Sequence, residues 1–334
     1  MGQSLVPWIS AGKLGAAMDV PDTEPGGTLV AGPAAASVNR EFVLTKCDYF
    51  LEVQLWPLRS KLNPERWLSN FEPGELEYAV HLLNAFIYYA RPLIEGMFLA
   101  AFQGLSRIVV PPQVSVRQAR MLWREFMDQA IITRVTGETP SDTDSAFQFV
   151  RMARQALRIP EAQILPPESA LNRLYSDGPR PVVFVDDFLG SARQFLATWE
   201  RQVSVGHGEE TSFKEQAAEK QAGTFYYCPL MCTESGYVNG IAPACPQVIV
   251  SPAHFISSRY NALAPDSVLW PRGMRSSGPE FIRRASERAG IAESEWRGFN
   301  DLGLAIAFEH QVPDATLPLF WFDKNNWKPL VRRT

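Results

Sequence analysis

The chain has 334 residues, 46% of them apolar, with a formal net charge of -4 and a pI near 5.7. That length allows one large domain or two smaller ones, and the apolar share is that of an ordinary globular core. The charge balance excludes a chain-wide polyanion footprint and leaves room only for a local basic patch, while nine Trp, nine Tyr and twenty Phe argue against a chain disordered throughout.

Four cysteines, Cys47, Cys228, Cys232 and Cys245, are too few for a disulfide framework in a chain this long. The first residues lack the charged and apolar regions of a secretion signal. The apolar run near residues 82–102 is broken by Asn84, Arg91, Pro92 and Glu95, so no membrane span is expected. Together these features predict a reduced, cytoplasmic protein.

Residues 1–38 are rich in Gly, Ala and Pro, show no sustained periodicity, and read as a flexible arm. Residues 39–104 form a helical N-terminal region. A helix is predicted over 41–55, and another starts at Asn63-Pro64-Glu65, where Asn caps and Pro takes the first position. Phe71-Glu72-Pro73 opens a third, striped by Leu76, Ala79, Val80, Leu83, Phe86 and Ile87, and Pro92 breaks or kinks it. From residue 105 to 334 strands and helices alternate. SRIVVPP at 106–112 reads as a short strand, 115–129 as a helix, 131–135 as a strand and the polar stretch 136–144 as a loop. Helices follow at 145–157 and 168–175, with a brief strand at 162–165 between them. Beyond the central strand and helix come a loop at 203–211, a helix at 212–221 and strands at 224–231 and 247–250. Residues 279–289 fit a helix, as do 302–310, and the aromatic segment 317–327 is expected to pack down on the domain. This alternation predicts an α/β fold with a mainly parallel sheet and flanking helices.

The densest chemistry lies in PVVFVDDFLGSARQFLATWE, residues 181–200. Val182, Val183, Phe184 and Val185 read as a strand buried on both faces. Asp186 and Asp187 follow, then Gly190, Ser191 and Ala192, then a helix from about Ser191 with Phe195, Leu196 and Trp199 on one face. Acids and a helix start thus meet at the carboxyl end of a strand, where open α/β sheets bind ligands. Two neighbouring acids there can cap a helix, bind a metal or accept from ribose hydroxyls. A phosphate-binding loop GxxxxGK[ST] and a dinucleotide fingerprint GxGxxG are both absent, which disfavours an NTPase or a Rossmann site.

The stretch resembles the phosphoribosyl-pyrophosphate motif of class I phosphoribosyltransferases, in which four apolar residues precede two acids and a small-residue loop. The segments TDSAFQFVRMARQALRIPEAQIL, VVFVDDFLG and ATLPLFWFDKNNWKPLVRR are similar to the phosphoribosyltransferase-like group called PRTase-CE, which occurs in bacterial conflict and anti-phage loci, including some retron systems. The resemblance implies a class I phosphoribosyltransferase-like sheet. It implies that Asp186 and Asp187 hold the ribose hydroxyls at the catalytic centre, and that Gly190, Ser191, Ala192, Arg193 and Gln194 wrap the 5-phosphate. The pyrophosphate side then falls to Gly137, Asp144 and Ser145, with Arg151 and Arg154 on the following helix. Mg2+ would ride on the substrate phosphates rather than on protein ligands. The chemistry implied is displacement at an anomeric carbon through an oxocarbenium-like transition state. Two positions depart from the usual loop: Ala192 stands where Gly is normal, and Gln194 where Thr is frequent. Alanine fits poorly if the backbone needs a positive φ.

The reading is therefore a phosphoribosyltransferase-like effector that makes or breaks an N-glycosidic bond. One alternative is a non-catalytic phosphoribose or nucleotide sensor. Another is a subunit of a defence complex, held by a reverse transcriptase with its nucleic acid; a homo-oligomer fits any of these. Glu309 and His310, an acid beside an imidazole, are candidates for the base or acceptor side. Cys228, Cys232 and Cys245 lack paired zinc spacing and read as buried thiols. His207, in a Gly-flanked loop, reads as an exposed loop residue, with a lid as the functional alternative.

Overall fold

The computed structural model describes residues 38–137, 147–219 and 223–333. The arm expected over 1–38 therefore lies, apart from Val38, outside the described residues. Helices α1 (Arg40–Glu52), α2 (Pro64–Leu68) and α3 (Leu76–Ala85) come first. Asn63 caps α2 by accepting from the Arg66 N–H, with Pro64 in the first turn. Strand β1 (Ile87–Tyr89) then separates α3 from α4 (Arg91–Gly104). Pro92 thus opens a helix instead of kinking one, since a missing N–H costs nothing in a first turn. Residues 106–112 do not form the expected strand. Leu105 keeps helical φ and ψ at the end of α4 and feeds the single turn α5 (Ser106–Val109).

The alternating part follows: α6 (Val116–Gln129), β2 (Ile131–Arg134), α7 (Phe147–Ala156), α8 (Pro167–Asp177), β3 (Val182–Leu189), α9 (Arg193–Glu200), β4 (Val203–Val205), β5 (Glu209–Thr211), α10 (Phe213–Ala218), β6 (Phe225–Thr233), β7 (Val248–Val250) and β8 (His254–Ile256). The chain ends with α11 (Gly278–Ala289) and β9 (Ile306–Phe308). The expected loop at 203–211 is the antiparallel hairpin β4–β5. The strand expected at 162–165 is a 3-10 turn, Glu161–Gln163, followed by one parallel bridge from Ile164 to Ile132.

The main sheet runs β2-β3-β6-β7, with β8 also on β6, and each pair is parallel. β7 and β8 keep one register on β6, Phe225 opposite Val248 and Met231 opposite His254. They are one strand interrupted around Pro252. At that level β6 carries Pro229, which sits beside Asp186 and has no N–H to give. At the height of the two acids the edge is held by the Ser251 N–H on the Tyr227 carbonyl at 2.8 Å and the Ala253 N–H on the Pro229 carbonyl at 3.4 Å.

Strand alternation splits the sheet's apolar residues between two layers. Val183 and Val185 pack with Phe98, Phe102, Phe126 and Phe149 on one face. Val182 and Phe184 pack with Leu171, Phe195, Trp199 and Phe213 on the other. A third core joins the first helices to the end of the chain: Val43, Trp67 and Leu83 share it with Phe281, Leu319, Phe320 and Trp327. The Trp67 ring stacks on Phe320 at 5.3 Å, and its indole N–H donates to the Leu319 carbonyl at 2.7 Å. The helical N-terminal region is thus half of a core that the aromatic tail completes. Residues 302–310, which fit a helix in sequence, form none and place β9 parallel to β1. Leu302, Leu304, Ile306 and Phe308 enter one core while Ala305 and Ala307 enter another, a period of two that no helix can serve. Among the described residues no helix is long and apolar enough to cross a membrane.

Candidate functional site

Successive side chains of a strand point to opposite faces, so Asp186 and Asp187 diverge. Each is only 3% exposed. On one face the Tyr227 hydroxyl donates to Asp186 Oδ2 at 2.8 Å, and the Asp187 N–H donates to Asp186 Oδ1 at 2.9 Å. Burial, reinforced by the neighbouring Asp187 charge, pushes Asp186 well above the ordinary carboxylate range, against the pull of the Tyr227 bond. The Tyr227 phenol is driven up by the same burial and by Asp186 itself.

On the other face His310 Nε2 lies 2.8 Å from Asp187 Oδ2, and the Gln311 amide donates to the same oxygen. The imidazole stacks on Phe308 at 5.4 Å and meets the edge of Phe149 at 5.9 Å. A turn after β9 presents it: the Phe308 N–H donates to the Gln311 carbonyl at 2.9 Å. Both of these bonds end on Oδ2, so neither occupies Asp187 Oδ1. Glu309 goes elsewhere. Its carboxylate accepts from the Arg91 N–H at 2.7 Å, capping α4 from across the chain. The acid beside His310 is therefore Asp187, not Glu309.

The loop Gly190, Ser191 and Ala192 leads into α9. Ala192 is buried and left-handed, with φ 66° and ψ -4°, and α9 has no side-chain cap among the described residues. Its first N–H groups are thus left for another acceptor. Arg193 and Gln194 are exposed, and the Arg193 guanidinium lies over the Phe299 ring at 5.4 Å. The helical segment after β6 floors the loop. The Thr233 hydroxyl donates to the Gly190 carbonyl and accepts from the Gly236 N–H at 2.9 Å. A Cβ on Gly236 would lie 2.2 Å from the Gly190 carbonyl oxygen, and one on Gly240 would lie 2.5 Å from the Ala192 Cβ. Gly240 sits in a π-helical turn, Tyr237–Ile241, a deviation frequent at functional sites.

Gly137 is next to this loop: a Cβ there would be 3.9 Å from Gln194 Nε2. The backbone at 136–137 is tied to α9. The Thr136 N–H donates to Thr198 Oγ1 at 2.9 Å, and Arg201 donates to Thr136 Oγ1 at 2.8 Å and to the Gly137 carbonyl. Asp144 and Ser145 lie outside the described residues. Arg151 and Arg154 are exposed on the outer flank of α7 and line a separate cleft with Arg134. The side chain of His207 is also outside the description. Cys228, Cys232 and Cys245 are buried and reduced, and burial pushes Cys232 and Cys245 up to about 12.

The structure thus gathers Asp186, Asp187, His310, Gly137 and the 190–194 loop at the carboxyl edge of the sheet. Tyr227, Gln311, Thr198 and Arg201 complete the arrangement, and no motif in the sequence marks them. Tyr227 is the last of three adjacent aromatics in a buried strand, and Gln311 lies in an unpatterned turn.

The curated proteins contain no match to the chain. Among protein families, PRTase-CE matches residues 64–333, a span that holds both the Asp186–Asp187 strand and the turn bearing His310. With a mainly parallel sheet, flanking helices and acids at a strand's carboxyl end, the chain belongs to the PRTase-CE family and is a phosphoribosyltransferase-like protein.

Proposed function

We propose that the crevice between the 190–194 loop and the His310 turn binds a ribose-5-phosphate moiety, from phosphoribosyl pyrophosphate or a nucleotide. The protein there makes or breaks an N-glycosidic bond. One observation carries the reading: Asp187, at the strand end beside a helix start without a side-chain cap, is bonded to His310. A carboxylate that orients an imidazole prepares it for proton transfer. The 5-phosphate would take the α9 N–H groups and the Ser191 hydroxyl. Asp187 Oδ1 would accept from a sugar hydroxyl while Oδ2 keeps His310 in place. Asp186 would act one layer below, holding the Asp187 backbone through its Oδ1 bond.

At the anomeric carbon the bond to the leaving group breaks as the bond to the acceptor forms. His310 takes the acceptor's proton, or gives one to a departing base. Gly137, whose Cβ would stand 3.9 Å from Gln194 Nε2, would face the pyrophosphate. Mg2+ would be carried by phosphate oxygens, with Asp187 Oδ1 the protein oxygen suited to a metal-bound water. When bound, it would neutralise leaving-group charge.

A non-catalytic sensor is the second reading, and the left-handed Ala192 favours it. A loop held rigid at a residue that resists that conformation suits tight binding as well as turnover. The two separate in one assay. Protein incubated with phosphoribosyl pyrophosphate, Mg2+ and a panel of bases and nucleotides is expected to release pyrophosphate or free base. His310→Asn should lower that rate by roughly 100-fold or more while ribose 5-phosphate still binds. Binding without release assigns the sensor role, and unchanged turnover in His310→Asn sinks the assignment of His310. An anti-phage role, with a reverse transcriptase and its nucleic acid as partner, rests on the family alone. Plaque counts on cells carrying the wild-type gene or Asp187→Asn test it.

A further inference from the structure

An uncharged apolar tip ringed by arginines joins α4 to α6. Between Glu95 and Glu125 the sequence has no acid, and it carries Arg107, Arg117, Arg120 and Arg124. All four arginines are exposed, and none has an ion-pair or hydrogen-bond partner among the described residues. Arg117, Arg120 and Arg124, spaced three and four apart, share one face of α6. Helix stability opposes that placement. Arg117 stands in the first turn, where the macrodipole disfavours a cation, and Arg120 and Arg124 repel one another. Glu125 and Asp128 follow only towards the end of the helix.

The residues they surround, 108–116, read IVVPPQVSV. Val109 packs against the core that holds Phe102 and Phe126. The Val110 N–H donates to the Ser106 carbonyl at 3.0 Å, and the Val114 N–H donates to the Pro111 carbonyl at 3.4 Å. Ser115 then closes the tip with a capping box to Gln118. The turn is thus fixed, yet it holds apolar side chains outward. Val116 is 87% exposed, Met121, which lies between Arg117 and Arg124 on α6, is 62% exposed, and Ile108 is 42% exposed. Pro111 and Pro112 are exposed with them. α4 begins at Arg91, beside Glu309, and ends at Gly104, so the tip stands about 20 Å along that helix from the His310 turn.

Guanidinium forks match phosphate oxygens. A nucleic-acid strand would use them, but it gains little from exposed Val, Ile and Pro, and its bases look for aromatic faces. An anionic lipid surface uses both groups at once: its headgroups take the arginines, and the acyl boundary takes the aliphatic side chains. We propose that residues 107–124 dock the protein on an anionic phospholipid surface, with Arg107, Arg117, Arg120 and Arg124 on the headgroups and Ile108, Pro111, Val116 and Met121 in the interfacial layer. The docking face is separate from the phosphoribose crevice and does not depend on that reading.

Sedimentation of the full chain with vesicles of mixed phosphatidylglycerol and phosphatidylcholine tests it, against vesicles of phosphatidylcholine alone. The protein should pellet with the mixed vesicles and not with the neutral ones. It should come off as salt shortens the Debye length from about 10 Å at 0.1 M to about 3 Å at 1 M. The variant Arg117→Gln/Arg120→Gln/Arg124→Gln should bind roughly 100-fold more weakly and melt no lower than wild type, because α6 loses cations that its dipole disfavours. Val116→Asp should weaken binding as well. All four native thiols are buried, so a polarity-sensitive dye introduced at Val116→Cys labels the tip alone. Its emission should move to the blue on mixed vesicles, while the same dye at Leu93→Cys, at the other end of α4, should not shift. The proposal is overturned if the chain ignores mixed vesicles at about 1 mM lipid, if the arginine variant binds them as wild type does, or if the tip dye stays unshifted on bound protein. Release from the vesicles by a single-stranded oligonucleotide at equal phosphate concentration would assign the arginines to nucleic acid and overturn the membrane.

Discussion

Asp186 is a carboxyl taken out of water beside a second carboxyl, and its environment favours the neutral form. A folded-state pKa raised above the unfolded one gives stability that is present at low pH and lost as pH rises through the window between them. Asp186→Asn keeps both hydrogen-bond partners, the Asp187 N–H on its carbonyl and the Tyr227 hydroxyl on its amide. The variant should therefore melt above wild type at pH 7, with the gap closing towards about pH 4; thermal melts across that range measure it, and a lower melting point at pH 7 would refute the argument. Glu309 gives the opposite kind of case. Its bond to the Arg91 N–H is a capping bond, so Glu309→Ala should cost about 1 kcal/mol in urea unfolding and leave ribose 5-phosphate affinity unchanged. Residue types alone could not separate these neighbours. Glu309 and His310 read as a pair in the sequence, but the turn after β9 sends Glu309 to the Arg91 N–H and His310 to Asp187.

The loop at 190–192 and the helical segment beneath it form one fitted element. Ala192 pays about 1–2 kcal/mol for its left-handed backbone, and its methyl fills the space left by Gly240. Gly240→Ala should destabilise by more than 1 kcal/mol, and Ala192→Gly should restore part of the loss in the double variant. A cycle of four unfolding curves reads the coupling, and additive effects would show that the two positions do not touch. The sequence made the strand, the acids and the loop legible, because an apolar run ending in two acids before small residues has few other solutions. It also marked Ala192 as the position under strain if φ were positive, which it is. Gly236 and Gly240 were not legible: their small size answers a loop more than forty residues upstream. β9 was misread as helix because 302–308 is apolar throughout and serves two cores, so only the partition of its side chains reveals the period of two.

Across the molecule, the first helices and the aromatic tail are halves of a single core, fastened by an ion pair. Arg288 on α11 donates to both carboxylate oxygens of Glu75, which directly precedes α3 and is buried. Burial alone would raise the Glu75 pKa, but the hydrogen bonds and charge of Arg288 outweigh it and the group ends below its usual 4.5. Stability from a lowered carboxylate pKa is present above the unfolded value and is lost as pH falls through the folded one. Glu75→Gln should cost roughly 1–3 kcal/mol at pH 7, discounted because Arg288 is a third exposed, and the cost should shrink below about pH 4.5. Urea midpoints at pH 7 and pH 4 check both the size and the sign.

The Trp67 indole and the Leu319 carbonyl are 252 residues apart in the chain. At about 5–20 residues per second, a ribosome that has made Trp67 needs roughly 13–50 s more to make its partner. Through that interval the α1–α3 side chains lack the last part of the core they enter, Leu319, Phe320 and Trp327, and are open to chaperones. His310 also emerges late, well over a hundred residues after Asp187. A nascent chain therefore carries the acids and the phosphate loop before it carries the imidazole, and the crevice is assembled only once the His310 turn has been made.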